Sequence, residues 1–237
     1  MAHSQKLMAS SVSRKTKSGA ALSRRMKTAS AKKMGMSDLK SYSLGIDPGY
    51  AETGLVLRLG SQILEYALTS DRLGSEIAMV FRSQAIAQTV MHHVVMWVHS
   101  YQIQFLEIGL EMPVYNRNVV TYAKQRSLIQ AIEAGLCRHV APFVEECWLS
   151  EPTPSESKHL ATGNGAADKA EVLRASPFPS FFRASTKDEG SRDLSDVWIY
   201  YNQTSMETLG DAWSHSLAVA NAVQPRFDLK QMGEIWN

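Results

Sequence analysis

From Ser43 onward the spacing of apolar and polar positions changes period several times, and each change marks an element. Ser43–Asp47, Gly54–Leu59 and Ile63–Thr69 are short apolar runs of strand character. Leu59-Gly60-Ser61-Gln62 supplies a turn between the second and third, so the three predict an antiparallel meander. Over Ser75–Tyr101, residues Ile77, Val80, Phe81, Ile86, Ala87, Val90, Val94 and Val98 recur near helical spacing. Phe105–Glu111 returns to strand character. Val119–Val140 is again helical, with Leu128, Ile129, Ile132 and Leu136 as its apolar stripe. Phe143–Leu149 predicts a fifth strand. Pro154–Leu160 and Lys169–Ala175 predict short helices around Gly163-Asn164-Gly165, and Ser205–Val223 a last long helix. This order is that of an α/β layer: a mixed five-stranded sheet, three antiparallel strands and then two parallel ones, flanked by helices.

Before Ser43 no such period exists. Residues 1–40 carry ten of the chain's 25 lysines and arginines and only one of its 23 acids, Asp38. The whole-chain charge of +2 therefore joins a strongly basic tail to a net acidic remainder. A Ser- and Ala-rich segment with almost no aromatic or β-branched residues cannot offset its ordering entropy by burial, so 1–40 is expected to be disordered. Residues 41–237 then form the folded domain. Arg14, Lys15, Lys17, Arg24, Arg25, Lys27, Lys32 and Lys33 would attract phosphate. A solubilising tail or an acid-poor transit peptide remain open alternatives. Cys137 and Cys147 have no metal-type spacing, which argues against a disulfide framework and a zinc site and fits a reducing, cytoplasmic setting. No membrane span is expected, because the apolar run Ile86–Val98 is broken by Gln88, His92 and His93.

The candidate chemistry starts at Leu44-Gly45-Ile46-Asp47-Pro48-Gly49, followed by Thr53-Gly54. A carboxylate at the end of an apolar strand is costly to desolvate unless a cation or donor meets it. A divalent ion such as Mg²⁺ suits that oxygen ligand, although Asp-Pro-Gly is equally a good turn. Glu111 ends the fourth strand in the same way, and Asp211 lies beside Gly210 in the last helix. Taken singly, each acid reads as a solvated carboxylate. Together they can hold two Mg²⁺ ions about 4 Å apart, the arrangement that hydrolyses phosphodiesters.

Four motifs in this chain resemble those of the RuvC family of Holliday-junction resolvases. They are Leu44–Gly49 with Thr53-Gly54, Glu111 followed by Asn118, Pro154-Ser155-Glu156-Ser157-Lys158 with Thr162-Gly163-Asn164-Gly165-Ala166-Ala167-Asp168-Lys169, and Asp211-Ala212. The resemblance spans about residues 43–223. It implies an RNase H-like fold and a homodimeric endonuclease that cuts four-way junctions, and other branched DNA, with Mg²⁺ or substituting Mn²⁺, two ions per active site. It implies Asp47, Glu111 and Asp211 as metal ligands and Lys158 and Lys169 at the scissile-strand phosphates. Gly163, Asn164 and Gly165, with Asn118, would lie against DNA. Tyr115 stands near the family's base-stacking aromatic, with Arg117 beside it for phosphate; packing at the helix start explains both equally well.

The chain also departs from the family. Where the family has Asp or His three residues before its last Asp, this sequence has Thr208. Glu207 and His215 lie four residues either side of Asp211, on the same helical face. Glu207 has a competing explanation as an acid in a first helical turn. His215 is therefore preferred as the replacement ligand, with a base, or a donor to a ligand, as its alternatives. The stretch Ser176–Thr204, with Phe178, Phe181, Phe182 and Trp198, reads as an insertion that builds a dimer interface or a DNA-facing arm. Thr208 also motivates a different class, a non-catalytic branched-DNA binding or packaging protein. The divergent last motif and the tail suit a phage-encoded member. An actin-like phosphotransferase shares Gly-Ile-Asp-Pro-Gly, but nothing after Glu111 resembles its second nucleotide-binding half.

Overall fold

Strict alternation along β1 (Ser41–Asp47), β2 (Thr53–Leu59) and β4 (Phe105–Leu110) sorts their side chains onto two faces. The computed structural model describes residues 41–70, 77–113, 118–178, 203–220 and 226–236. The basic tail, Tyr115, Arg117 and most of the 176–204 insertion lie outside the described residues. On one face Leu44, Ile46, Leu55, Leu57, Leu106, Ile108 and Leu110 form a core with α1 (Met79–Tyr101) and α2 (Val119–His139). Each such side chain contributes about 1.5–3 kcal/mol on burial. The other face receives α5 (Gln203–Ala220).

That second face is floored with glycine. A methyl group at Gly45 would collide with the Ala212 carbonyl, and one at Gly109 with the His215 carbonyl. The helix backbone therefore rests directly on β1 and β4. Val56 of β2 closes the layer with Leu209, Ala212, Trp213 and Phe178. Phe178 is fully buried and meets Tyr66 edge to face at 5.7 Å, so the insertion begins with an anchored aromatic.

The sheet order is β3-β2-β1-β4-β5-β6, with β3 at Gln62–Thr69 and β5 at Glu146–Ser150. β1, β2 and β3 are antiparallel, whereas β1, β4 and β5 run parallel. Six strands replace the expected five. The sixth, β6 (Phe227–Asp228), pairs antiparallel with β5 and is too short to carry a periodic signature. It leads into α6 (Leu229–Trp236), whose Leu229 joins the α1/α2 core. The expected fifth strand also starts later. Ala141–Phe143 form a 3-10 turn, because Pro142 has no N–H to give a sheet ladder, and Phe143 is exposed. The first helix starts at Met79 rather than Ser75, and ends at Gln102 in a left-handed conformation.

Candidate active site

The turn after β1 is locked by its own sequence. Gly49 N–H donates to Thr53 Oγ1 at 3.2 Å, and that hydroxyl donates back to the Gly49 carbonyl at 2.8 Å. Tyr50 then ties the turn to both helices of the other layer. Its hydroxyl lies 2.5 Å from Ser83 Oγ on α1 and donates to the Lys124 carbonyl on α2 at 3.2 Å. The Arg82 guanidinium sits 5.2 Å above the Tyr50 ring. Turn and candidate ligand thus coexist: the turn fixes where the Asp47 carboxylate stands.

Parallel pairing of β1 with β4 matches Ile46 to Leu110, and Glu111 N–H donates to the Ile46 carbonyl at 3.3 Å. Asp47 and Glu111 are therefore neighbours on the face that α5 covers. That helix adds His215. One ligand atom from each of Asp47, Glu111 and His215 lies within 4.8 Å of the others. His215 is 1% exposed. Its Nδ1 is 2.8 Å from Ser157 Oγ on α3 (Pro154–Thr162), and its Nε2 is 3.0 Å from Glu111 Oε2. That second approach has ion-pair distance but poor hydrogen-bond alignment, so among the described residues the buried Nε2 makes no well-aligned hydrogen bond. A buried ring nitrogen that faces two carboxylates is a donor set that fits a divalent cation.

Asp211 lies one turn before His215 and is buried; its Oδ2 pairs with Lys169 Nζ at 2.9 Å. It stands outside the tight trio but acts electrostatically on it. Glu207 is also outside the trio. Thr208, at the family's acid position, is buried over Gly54 of β2.

Crowded carboxylates show in the proton affinities. Burial, with Glu111 and Asp211 close by, pushes Asp47 up to about 7 against the pull of His215 and Lys169. Burial also pushes Glu111 up, but His215, Lys169 and Lys158 outweigh it and hold that carboxyl below its ordinary value. For His215, burial disfavours the cation, yet Glu111, Asp47 and Asp211 prevail and raise its pKa. Lys169 behaves likewise: burial lowers it, while Asp211, Asp47 and Glu111 raise it further. Three carboxylates thus share the site with Lys169 and His215, and each side favours the other's charged form.

Helix ends explain the spacing of the lysine motif. Thr153 and Glu156 form a capping box at the start of α3, with Pro154 in the first turn. Gly163 stops that helix with φ of 78°, a conformation that favours glycine. Asp168 and Glu171 form a second capping box on α4 (Lys169–Ala175), which sets Lys169 at its first position. Gly165 packs against Ser155, and Asn164 Oδ1 accepts from Ala166 N–H at 3.0 Å. Asn118, expected near DNA, caps α2 by accepting from Thr121 N–H at 3.1 Å. Two site residues escaped sequence reasoning. Tyr50 carried no signal beyond following the turn, and Ser157 is a small polar residue whose burial comes only from tertiary packing.

A family model, Crossover junction endodeoxyribonuclease RuvC, matches residues 43–175. The chain belongs to the RuvC family. The match ends before α5, so Asp211 and His215 lie beyond it. RuvC proteins of Mycobacterium bovis and Mycobacterium tuberculosis are 29% identical over 149 residues, 58% of this chain and 73% of theirs. The structure of Thermus thermophilus RuvC superposes with a TM-score of 0.51 at 15% identity, covering 78% of this chain and 99% of that one. A second structure, T. thermophilus RuvC in complex with Holliday junction substrate, has the same TM-score at 14% identity, over 79% and 99%. This likeness establishes the RuvC, RNase H-like fold.

Proposed function

We infer that the chain is a divalent-metal-dependent endonuclease that resolves Holliday junctions, and other branched DNA, by phosphodiester hydrolysis. The observation that carries this reading is the convergence of Asp47, Glu111 and His215 beside the Lys169–Asp211 pair. Asp47, Glu111, Asp211 and His215 would hold two Mg²⁺ ions, or Mn²⁺. Such ions supply Lewis-acid polarisation of a phosphoryl oxygen and acidify an attacking water.

Asp47 stands central to the cluster, between Glu111 on the neighbouring strand and the two groups of α5. Lys158 and Lys169, each at a capped helix, neutralise charge that develops on the phosphoryl oxygens. Lys169 neutralises Asp211; were Asp211 to hold a metal ion, the ammonium would be available to the DNA backbone. His215 takes the ligand role that Thr208 vacates by packing over Gly54.

A homodimer is the assembly that gives two such sites for two strands. Exposed apolar side chains on α1 and α2, namely Val80, Phe81, Met96, Val119 and Val120, support that partner surface. Residues 41–237 act as one nuclease domain, and the basic residues of 1–40 add non-specific DNA affinity. Both cysteines are free and buried, which favours a reducing, cytoplasmic setting; separately, among the described residues no helix is long and apolar enough to cross a membrane.

Incubation of the full chain with synthetic four-way, three-way and flap DNA in Mg²⁺ tests this reading, with nicking at the branch as the expected result. Thr208 favours one rival, a branch-binding protein that has lost catalysis. Tight branch binding without nicking, together with no Mn²⁺ uptake in calorimetry, would support that rival.

A further inference from the structure

We propose that Ser157 is a positioning residue: with a cation held at Asp47 and Glu111, its hydroxyl would accept the Nδ1–H of His215 and so present the Nε2 lone pair to that cation. This deepens the reading of His215 as a ligand and rests on it.

A neutral imidazole carries its proton on one of two nitrogens, and its partners decide which. Here the two nitrogens face different surroundings. Nε2 meets the carboxylates at the ends of β1 and β4, whereas Nδ1 meets only Ser157 Oγ at 2.8 Å. Ser157 is 0% exposed and His215 1%, so bulk water cannot stand in for the serine. The last side-chain torsion of histidine is broad and two-fold. A half-turn of the ring would replace Nε2 by a carbon at the carboxylates and Nδ1 by a carbon at α3. Only the ring placement seen here gives both nitrogens polar neighbours.

Glu111 Oε2, 3.0 Å from Nε2, bounds the ring on the sheet side, and the backbone of His215 is fixed separately. Its carbonyl rests on Gly109, which sets the height of α5 above β4. On the α3 side the imidazole is held by Ser157. The serine is itself held firmly, one residue past the Thr153–Glu156 capping box, with its N–H donating to the Thr153 carbonyl at 3.1 Å. It also directly precedes Lys158. One hydrogen bond thus couples the phosphate-facing helix α3 to the ligand-bearing helix α5. Partners that orient a ligating histidine in this way typically account for 10–100-fold in metal affinity.

The test uses the full chain loaded with Co²⁺ for proton NMR and titrated with Mn²⁺ by calorimetry. Wild type is expected to show a hyperfine-shifted resonance that disappears in D₂O, from the Nδ1–H of a ligated His215, and H215A to lack it. Ser157→Ala is expected to lose or broaden that resonance and to bind Mn²⁺ about 10–100-fold more weakly. In an H215A background the same serine substitution should cost nothing further, which a general packing defect would not reproduce. An S157A protein that keeps both the resonance and the wild-type affinity overturns the inference and leaves His215 a ligand. So does a serine effect that persists undiminished in H215A. A wild type with no such resonance, and an H215A protein that binds Mn²⁺ as well as wild type, overturns the ligand reading itself and the inference with it.

Discussion

Gly45 of β1 lies directly beneath the main-chain carbonyl of Ala212, with no side chain between strand and helix. Ala212 sits between Asp211 and His215, so this one contact sets the height of both groups above Asp47 and Glu111. Gly45→Ala would push α5 off the sheet. Overpacking of this kind costs about 1–3 kcal/mol, read as a lower urea midpoint. Mn²⁺ affinity should also fall by about tenfold or more, although no ligand is altered. Unchanged affinity in a destabilised variant would show that helix height does not govern the site.

That contact also separates what the sequence discloses from what it conceals. Asp47 and Glu111 are legible because each closes an apolar strand, and the strand order predicts that they are neighbours. Asp211 and His215 are legible through their four-residue spacing. The closeness of α5 to the sheet is not legible, since Gly45 reads as an ordinary motif glycine and Gly109 as an ordinary strand residue until a carbonyl is found above each. β6 was invisible because two residues have no period. Ser157 escaped because its role depends on a residue 58 positions away. The capping of α2 by Asn118 is a local task that the motif does not disclose.

Lys169 gives a prediction of opposite signs. Its Nζ lies 2.9 Å from Asp211 Oδ2 and competes with any other cation for that carboxylate. Lys169→Ala should bind Mn²⁺ several-fold more tightly while cutting branched DNA about 10²-fold more slowly, as loss of one phosphoryl-stabilising group typically does. Calorimetry and single-turnover cleavage measure the two effects separately. Parallel losses in both would mean that the lysine only supports the fold.

The pH dependence of folding should carry a signature from the opposite layer. Glu133 of α2 is buried with Arg126 Nη1 3.9 Å away, and Arg126 also pairs with Glu151 at 3.4 Å. Burial and the adjacent Glu151 push Glu133 up to about 7, against the pull of Arg126. The folded state therefore keeps a proton that the unfolded chain releases near its ordinary value of 4.5. Stability from this group falls as pH rises from about 4.5 through 7, because the native state binds more protons across that window. Glu133→Gln should flatten that part of the profile in chelator-treated protein. Matching slopes in variant and wild type would place the proton elsewhere.

The basic tail should affect affinity alone. Deleting residues 1–40 removes ten of the 25 basic side chains. Non-specific DNA binding should weaken, and its dependence on log salt should flatten by about 0.9 for each phosphate that the tail no longer neutralises. Branch cleavage should persist. A salt slope identical to that of the full chain would mean that the tail does not touch DNA.

Asp47 is the residue on which the proposed function turns, as the anchor of the proposed metal site. Single-turnover cleavage of a labelled four-way junction in Mg²⁺, by wild type and Asp47→Asn at equal junction occupancy, tests it most directly. The account predicts nicks at the branch point by wild type and a rate lower by about 10³-fold or more in the variant, with junction binding retained. A wild-type protein that binds the junction and never cuts it, or a D47N protein that cuts at the wild-type rate, would contradict it.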